Sequence, residues 1–165
     1  MKRPTRLLGF GLGCFLAMAF PGTAQMTMNV EIIGDVQGPI EGDVPVQGQP
    51  EKQIAGLEYH HQMAIGSKGV GEHKQVIWTK LSDRSSVQLW TAFRDGELLE
   101  VTFHHLDSQG IEVMEVILAD ARILAIETYH PEGDLAPLER IRMVYRVLEN
   151  RQQGQSLGVT DPQHL

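Results

Sequence analysis

Apolar and polar positions alternate with period two over several stretches of the chain, and one stretch breaks the rhythm. Val76, Trp78 and Lys80 fall on one side of a strand predicted over His73–Leu81, with Ile77, Thr79 and Leu81 on the other. The rhythm stops at Ser82. Ser82, Asp83, Ser85 and Ser86 are all suited to cap a helix, and Val87, Trp90, Thr91 and Phe93 recur at helical spacing beside Leu89. Gly96 stands where a glycine ends a helix. A helix this short is expected to be held by packing one face on a sheet.

Alternation then resumes. Val101, Phe103 and His105 oppose Thr102, His104 and Leu106, and Asp107-Ser108-Gln109-Gly110 is a tight-turn sequence. On the return, Ile111, Val113, Glu115 and Ile117 oppose Glu112, Met114, Val116 and Leu118, the second set being the core face. The pattern stays strand-like to Tyr129, with Ala119–Ala125 open to a strand or a helical turn. Arg140–Leu148 is the final strand, with Ile141, Met143, Tyr145 and Val147 on one face and Arg140, Arg142, Val144 and Arg146 on the other. Upstream, MNVEIIGDVQG reads as a first strand closing on a glycine-rich bend, Gly38–Pro50 as an extended loop, and Gln53–Ile65 as a second strand with a bulge at Gly56. Gly66–Gly71 is a connection, and the polar tail from Asn150 is expected to fray. Many strands and one helix predict a mainly β fold. The expected form is a small closed β-barrel of two packed antiparallel sheets with one short flanking α-helix, since closure removes exposed strand edges.

Length and charge narrow the function. A chain of 165 residues with 42% hydrophobic content suits one domain, assigned to residues 26–150 with a polar tail at 151–165. A net charge of −7 makes nucleic-acid binding a poor fit, because phosphate affinity rests on Lys and Arg. Residues 1–25 differ from the rest. Lys2, Arg3 and Arg6 precede an uncharged apolar run, Leu7–Phe20, and then small residues before Gln25. Two readings stay open: a signal peptide cut after Ala24, or a start called upstream of a true Met26 or Met28. Its loss takes the net charge from −7 to −10. The apolar run is short for a membrane span, so no stable membrane insertion is expected. Cys14, the only cysteine, lies in this segment, so the domain itself has no disulfide or thiol chemistry.

The chemistry-bearing residues lead to no reaction. P-loop and H-E-x-x-H patterns are missing from the sequence. Ser85 and Ser86 read as helix caps. Glu112 and Glu115 are expected on opposite strand faces, which would prevent a carboxylate pair. The same alternation separates the members of His60-His61 and of His104-His105, although His60 or His61 could meet His104 or His105 across a sheet, and the domain offers no cysteine for a closed zinc site. The expectation is therefore no catalytic residue, no cofactor and no metal.

The order of pieces resembles Hcp (TssD), the tube protein family of the type VI secretion system. The resemblance rests on Ile32–Gly38 as the opening strand and bend, and on Lys74–Leu81 followed by Asp83-Arg84-Ser85-Ser86 as the strand-to-helix junction. It continues with Phe103–Tyr129 as the long hairpin and Leu138–Tyr145 as the closing strand. It covers roughly Met28 to Arg151. It implies a barrel with a flanking helix and hexameric rings stacked into an exported tube. It also implies sheath, spike and effector proteins as partners, and a structural rather than enzymatic role. By analogy, loop Gly38–Pro50 would lie between stacked rings. Closing a ring needs complementary strips on one subunit. The expected strips are Arg140, Arg142 and Arg146 on one side and Glu41, Asp43 and Glu51 on the other. Secretion follows from the resemblance, and a periplasmic location from a genuine signal peptide. The rival reading is a secreted or periplasmic monomeric barrel binding a small apolar ligand, which requires a hollow interior.

Overall fold

The computed structural model describes residues 27–45, 52–65, 71–132, 136–152 and 155–160. The expectations for the leader and its Cys14, for Glu51 and for most of the Gly66–Gly71 connection lie outside the described residues. The elements are β1 (Thr27–Gly34), β2 (Gly38–Pro39), β3 (Val44–Pro45), β4 (Lys52–Ile65), β5 (Gly71–Leu81) and α1 (Ser85–Asp95). They continue with β6 (Leu99–Leu106), β7 (Glu112–Tyr129), β8 (Leu138–Val144), β9 (Val147–Gln152) and β10 (Gln155–Thr160).

Six strands close a barrel. Neighbours pair antiparallel in the order β7, β6, β1, β4, β5, β8, and β8 pairs back onto β7. The β4–β5 register slips between Gly56 and Glu58, at the glycine the sequence marks as a bulge. A Cβ there would lie 2.1 Å from Met28 Cε, so the glycine also makes room for a β1 side chain. In the long β7, the first part pairs with β6 and β9 and the remainder with β8. Asp120, at φ 51°, sits at the changeover, in a left-handed conformation that aspartate tolerates better than most residues. The ambiguous Ala119–Ala125 segment is therefore bent strand, not helix.

The interior is filled. Val30, Ile54, Val76, Trp78, Val101, Phe103, Leu118, Ile141 and Met143 have no exposed surface. Phe103 meets Trp78 and Tyr59 edge to face, with centroids 5.9 and 5.0 Å apart. Side chains occupy the space that a hollow ligand-binding barrel would need.

Three expectations are corrected. The helix forms where read and ends at Gly96 (φ 63°), with the Glu97 N–H bonded to the Ala92 carbonyl at 3.0 Å. Its buried residues, however, are Ser85, Leu89 and Ala92, while Val87 is 74% and Trp90 43% exposed. Small Ser85 and Ala92 let the helix backbone approach the sheet beside the fully buried Leu89, and Val87 and Trp90 turn outward. The final strand is interrupted after Val144, and Tyr145 and Leu148, three apart, are both buried. That spacing reverses the alternation, so Leu148 takes the inward place expected of Val147. Finally, the described part of the tail, residues 150–152 and 155–160, does not fray. β10 pairs back along β9, which lies on β7.

Candidate assembly interface

The acidic loop is tied to the helix. Ile40 is buried and its N–H bonds the Ile32 carbonyl at 2.9 Å, while the Gly42 N–H bonds the Lys52 carbonyl at 2.9 Å. A Cβ on Gly42 would lie 2.4 Å from the Gln53 carbonyl oxygen, so glycine is needed for this close approach to β4. Glu41 then meets α1 twice. Its N–H bonds Gln88 Oε1 at 3.3 Å and its carboxylate pairs with the Arg84 guanidinium. Asp43 is exposed, and Glu51 lies outside the described residues.

The arginines gather around two carboxylates. Arg140 and Arg142 of β8 share Glu127 of β7, Arg142 in direct contact and Arg140 Nη1 at 3.8 Å from Oε2. The Arg140 guanidinium also lies 5.3 Å from the Tyr129 ring centroid. Arg146 pairs with Asp120 at the β7 bend. Two of the three expected basic residues are thus brought together and the third is held separately. Among the described residues, neither Glu41 nor Asp43 pairs with any of these arginines.

Two buried nodes fix the frame that carries these strips, and neither was anticipated. Lys80 is fully buried. Its ammonium donates to Glu139 Oε2 at 2.9 Å, Ser86 Oγ at 3.1 Å and the Leu81 carbonyl at 2.8 Å, and lies 2.8 Å from Asp83 Oδ1. This node joins β5, β8 and the start of α1. The signal was present: Lys80 lies on the Val76–Trp78 face, and Glu139 lies on the inward face of β8 opposite it. At the other end of α1, Glu97 Oε1 accepts the Val36 and Gln37 N–H groups at 2.7 and 2.8 Å, and Oε2 accepts Gln37 Nε2 at 2.7 Å. Burial pushes this carboxyl up, but the hydrogen bonds from Gln37 and Val36 outweigh it and hold it below the usual carboxylate range.

The outward face of β6 and β7 holds a correction. Glu112 and Glu115 do not lie on opposite faces. The β6–β7 register slips so that His105 faces Met114 but Leu106 faces Glu112, leaving Val113 as an extra residue. Both glutamates thereby flank His104, and one ligand atom from each of the three residues falls within 4.8 Å of the others. His105 points the other way. It is buried, and burial first, then His104, lowers its pKa. None of the described helices is long and apolar enough to cross a membrane.

With this geometry in place, the comparisons with known proteins converge. A family profile described as "Type VI secretion system effector, Hcp" matches residues 30–150. The chain is similar in structure to the Hcp1 protein of E. coli EAEC 042, with TM-score 0.74 and 20% identity over 81% of this chain and 98% of that one. It is also similar to secreted protein Hcp3 from Pseudomonas aeruginosa, with TM-score 0.68 and 26% identity over 81% and 98%. A type VI secretion system effector from Yersinia pestis gives TM-score 0.63 and 18% identity over 81% and 98%. No curated protein sequence matches significantly.

Proposed function

The chain belongs to the Hcp family of the type VI secretion system, and on that premise we propose that it is a tube subunit: six copies close a ring, rings stack, and the tube is exported with effectors. The observation that carries the reading is the filled, closed barrel with one short helix, formed within the region matched to the family. A packed interior leaves the outer surfaces as the working parts. The role is structural, with no bond made or broken. The sheath, the spike and effector cargo are its partners.

In this reading Arg140, Arg142 and Arg146 form one strip of a head-to-tail contact, and Glu41, Asp43 and Glu51 the other. Each guanidinium has five N–H donors. The Glu127 carboxylate, shared by Arg140 and Arg142, and the Asp120 carboxylate, paired with Arg146, leave donors for a neighbouring subunit. The test is light scattering behind size exclusion on residues 26–165, with negative-stain images. Rings of about six subunits are expected. A monomer at every concentration would overturn the proposal.

A further inference from the structure

We propose that His104, Glu112 and Glu115 form a binding site for a divalent first-row transition ion, zinc in the first instance, on the outward face of β6 and β7. One imidazole nitrogen and two carboxylate oxygens already converge within 4.8 Å. Imidazole with carboxylate is a donor set that suits zinc, copper and nickel rather than magnesium or calcium. Ligands about 2.1 Å from one ion lie at most about 4.2 Å apart, so small side-chain rotations close the set. Glu112, at 46% exposed, has that freedom.

Three further features separate this cluster from an ordinary exposed acidic patch. The first is the slipped register at Val113, which puts both glutamates beside the same histidine.

The second is the histidine itself. Its side chain is only 17% exposed, Nδ1 lies 2.7 Å from Glu112 Oε2, and Nε2 is buried without a hydrogen-bond partner. Nε2 instead faces the Glu31 carboxylate of β1 at 3.8 Å. When Nδ1 binds the ion, the ring proton moves to Nε2, which becomes a donor aimed at Glu31. A ligating histidine characteristically gives its other N–H to a carboxylate in this way. Metal binding therefore supplies the partner that Nε2 lacks.

The third feature is charge. Glu31, Glu112 and Glu115 surround one imidazole. Among the described residues, the cation that reaches them is Arg151, which divides itself between Glu115 at 3.1 Å and Glu149 at 2.8 Å. The cluster is short of positive charge, and all its members belong to one chain, so the site does not depend on ring assembly.

The test is calorimetric titration of the full chain with zinc, nickel, copper and magnesium chlorides at pH 7. One equivalent of zinc per chain is expected, with magnesium binding undetectable. His104→Ala should abolish that equivalent, and His130→Ala should leave it unchanged. Glu115→Gln and Glu31→Gln, which keep the imidazole in place, should each weaken it about 10- to 100-fold. Circular dichroism on each variant confirms that the barrel is intact. Failure to bind zinc, zinc binding retained in a folded His104→Ala protein, or preferential binding of magnesium would each overturn the assignment.

Discussion

Lys80 allows a quantitative test of how the barrel holds a buried charge. Lys80→Met keeps most of the side-chain volume and removes the ammonium. Asp83, 12% exposed, still accepts from the Ser85 N–H at 2.9 Å and from the Ser85 hydroxyl. Glu139 is 3% exposed and, among the described residues, keeps only the Ser86 hydroxyl at 2.9 Å and the Ser82 hydroxyl at 3.4 Å. The cost therefore falls on Glu139, left as an uncompensated buried charge. Removing one partner of such a pair destabilises by about 3–5 kcal/mol. The double variant Lys80→Met/Glu139→Leu removes both charges, and apolar replacement of a whole pair is often close to neutral. It should be more stable than the single variant by about 2 kcal/mol, within the coupling range for contacting residues. Urea unfolding at fixed protein concentration, followed by circular dichroism, measures both differences. An unchanged m-value confirms that the unfolding reaction is the same. A loss below about 1 kcal/mol in Lys80→Met, or a double variant no more stable than Lys80→Met, would refute the view that Lys80 is there to compensate Glu139.

Four other outcomes follow from the geometry. Because the folded-state pKa of Glu97 is depressed, its stabilisation is present above the ordinary carboxylate value and is lost as pH falls through the folded value. The gap in urea midpoint between wild type and Glu97→Gln should be constant near neutrality and narrow below about pH 4.3, and a gap unchanged to low pH would count against it. Gly42→Ala drives a Cβ against backbone atoms, 2.4 Å from the Gln53 oxygen and 2.6 Å from Ile54 Cα, and should cost about 1–3 kcal/mol in urea unfolding. Gly158→Ala, with open space at the Cβ, should change stability by no more than about 0.5 kcal/mol. Arg140→Gln/Arg142→Gln breaks exposed pairs worth at most about 1 kcal/mol each, so the barrel should persist while the ring is lost by light scattering. An undiminished ring population would remove these arginines from the interface.

The strands were readable from the sequence because a barrel wall imposes one rule on every residue: alternate in and out. Trp78, Phe103, Leu118 and Ile141 obey it, and the glycine exception at Gly56 announces itself. The misreadings occur where that rule is interrupted without a glycine. Val113 is an unremarkable valine, yet the ladder skips it and both glutamates land on one face. Between Tyr145 and Leu148 the phase reverses with no sequence mark beyond Arg146. In α1 a reading by hydrophobicity found Leu89, which is buried, but it also chose Val87 and Trp90, which are exposed, and passed over small Ser85 and Ala92. Proximity to a packed surface rewards absence of bulk there, a property that a scale of apolarity ranks low.

The charged strips could be named from the sequence but not understood from it, because their partners come from other strands. Arg140 and Arg142 look like free positive charge in one dimension, and the fold supplies Glu127 from β7 to both. The proposed subunit contact therefore does not rescue bare charges. It adds acceptors to guanidiniums already positioned by a carboxylate and, for Arg140, by the Tyr129 ring. Such pre-positioning lowers the side-chain entropy lost on association. Because these groups are exposed, salt screens their attraction for a neighbour. A ring held by them should loosen as ionic strength rises, whereas the barrel, held by a filled apolar interior and the buried Lys80 node, should not.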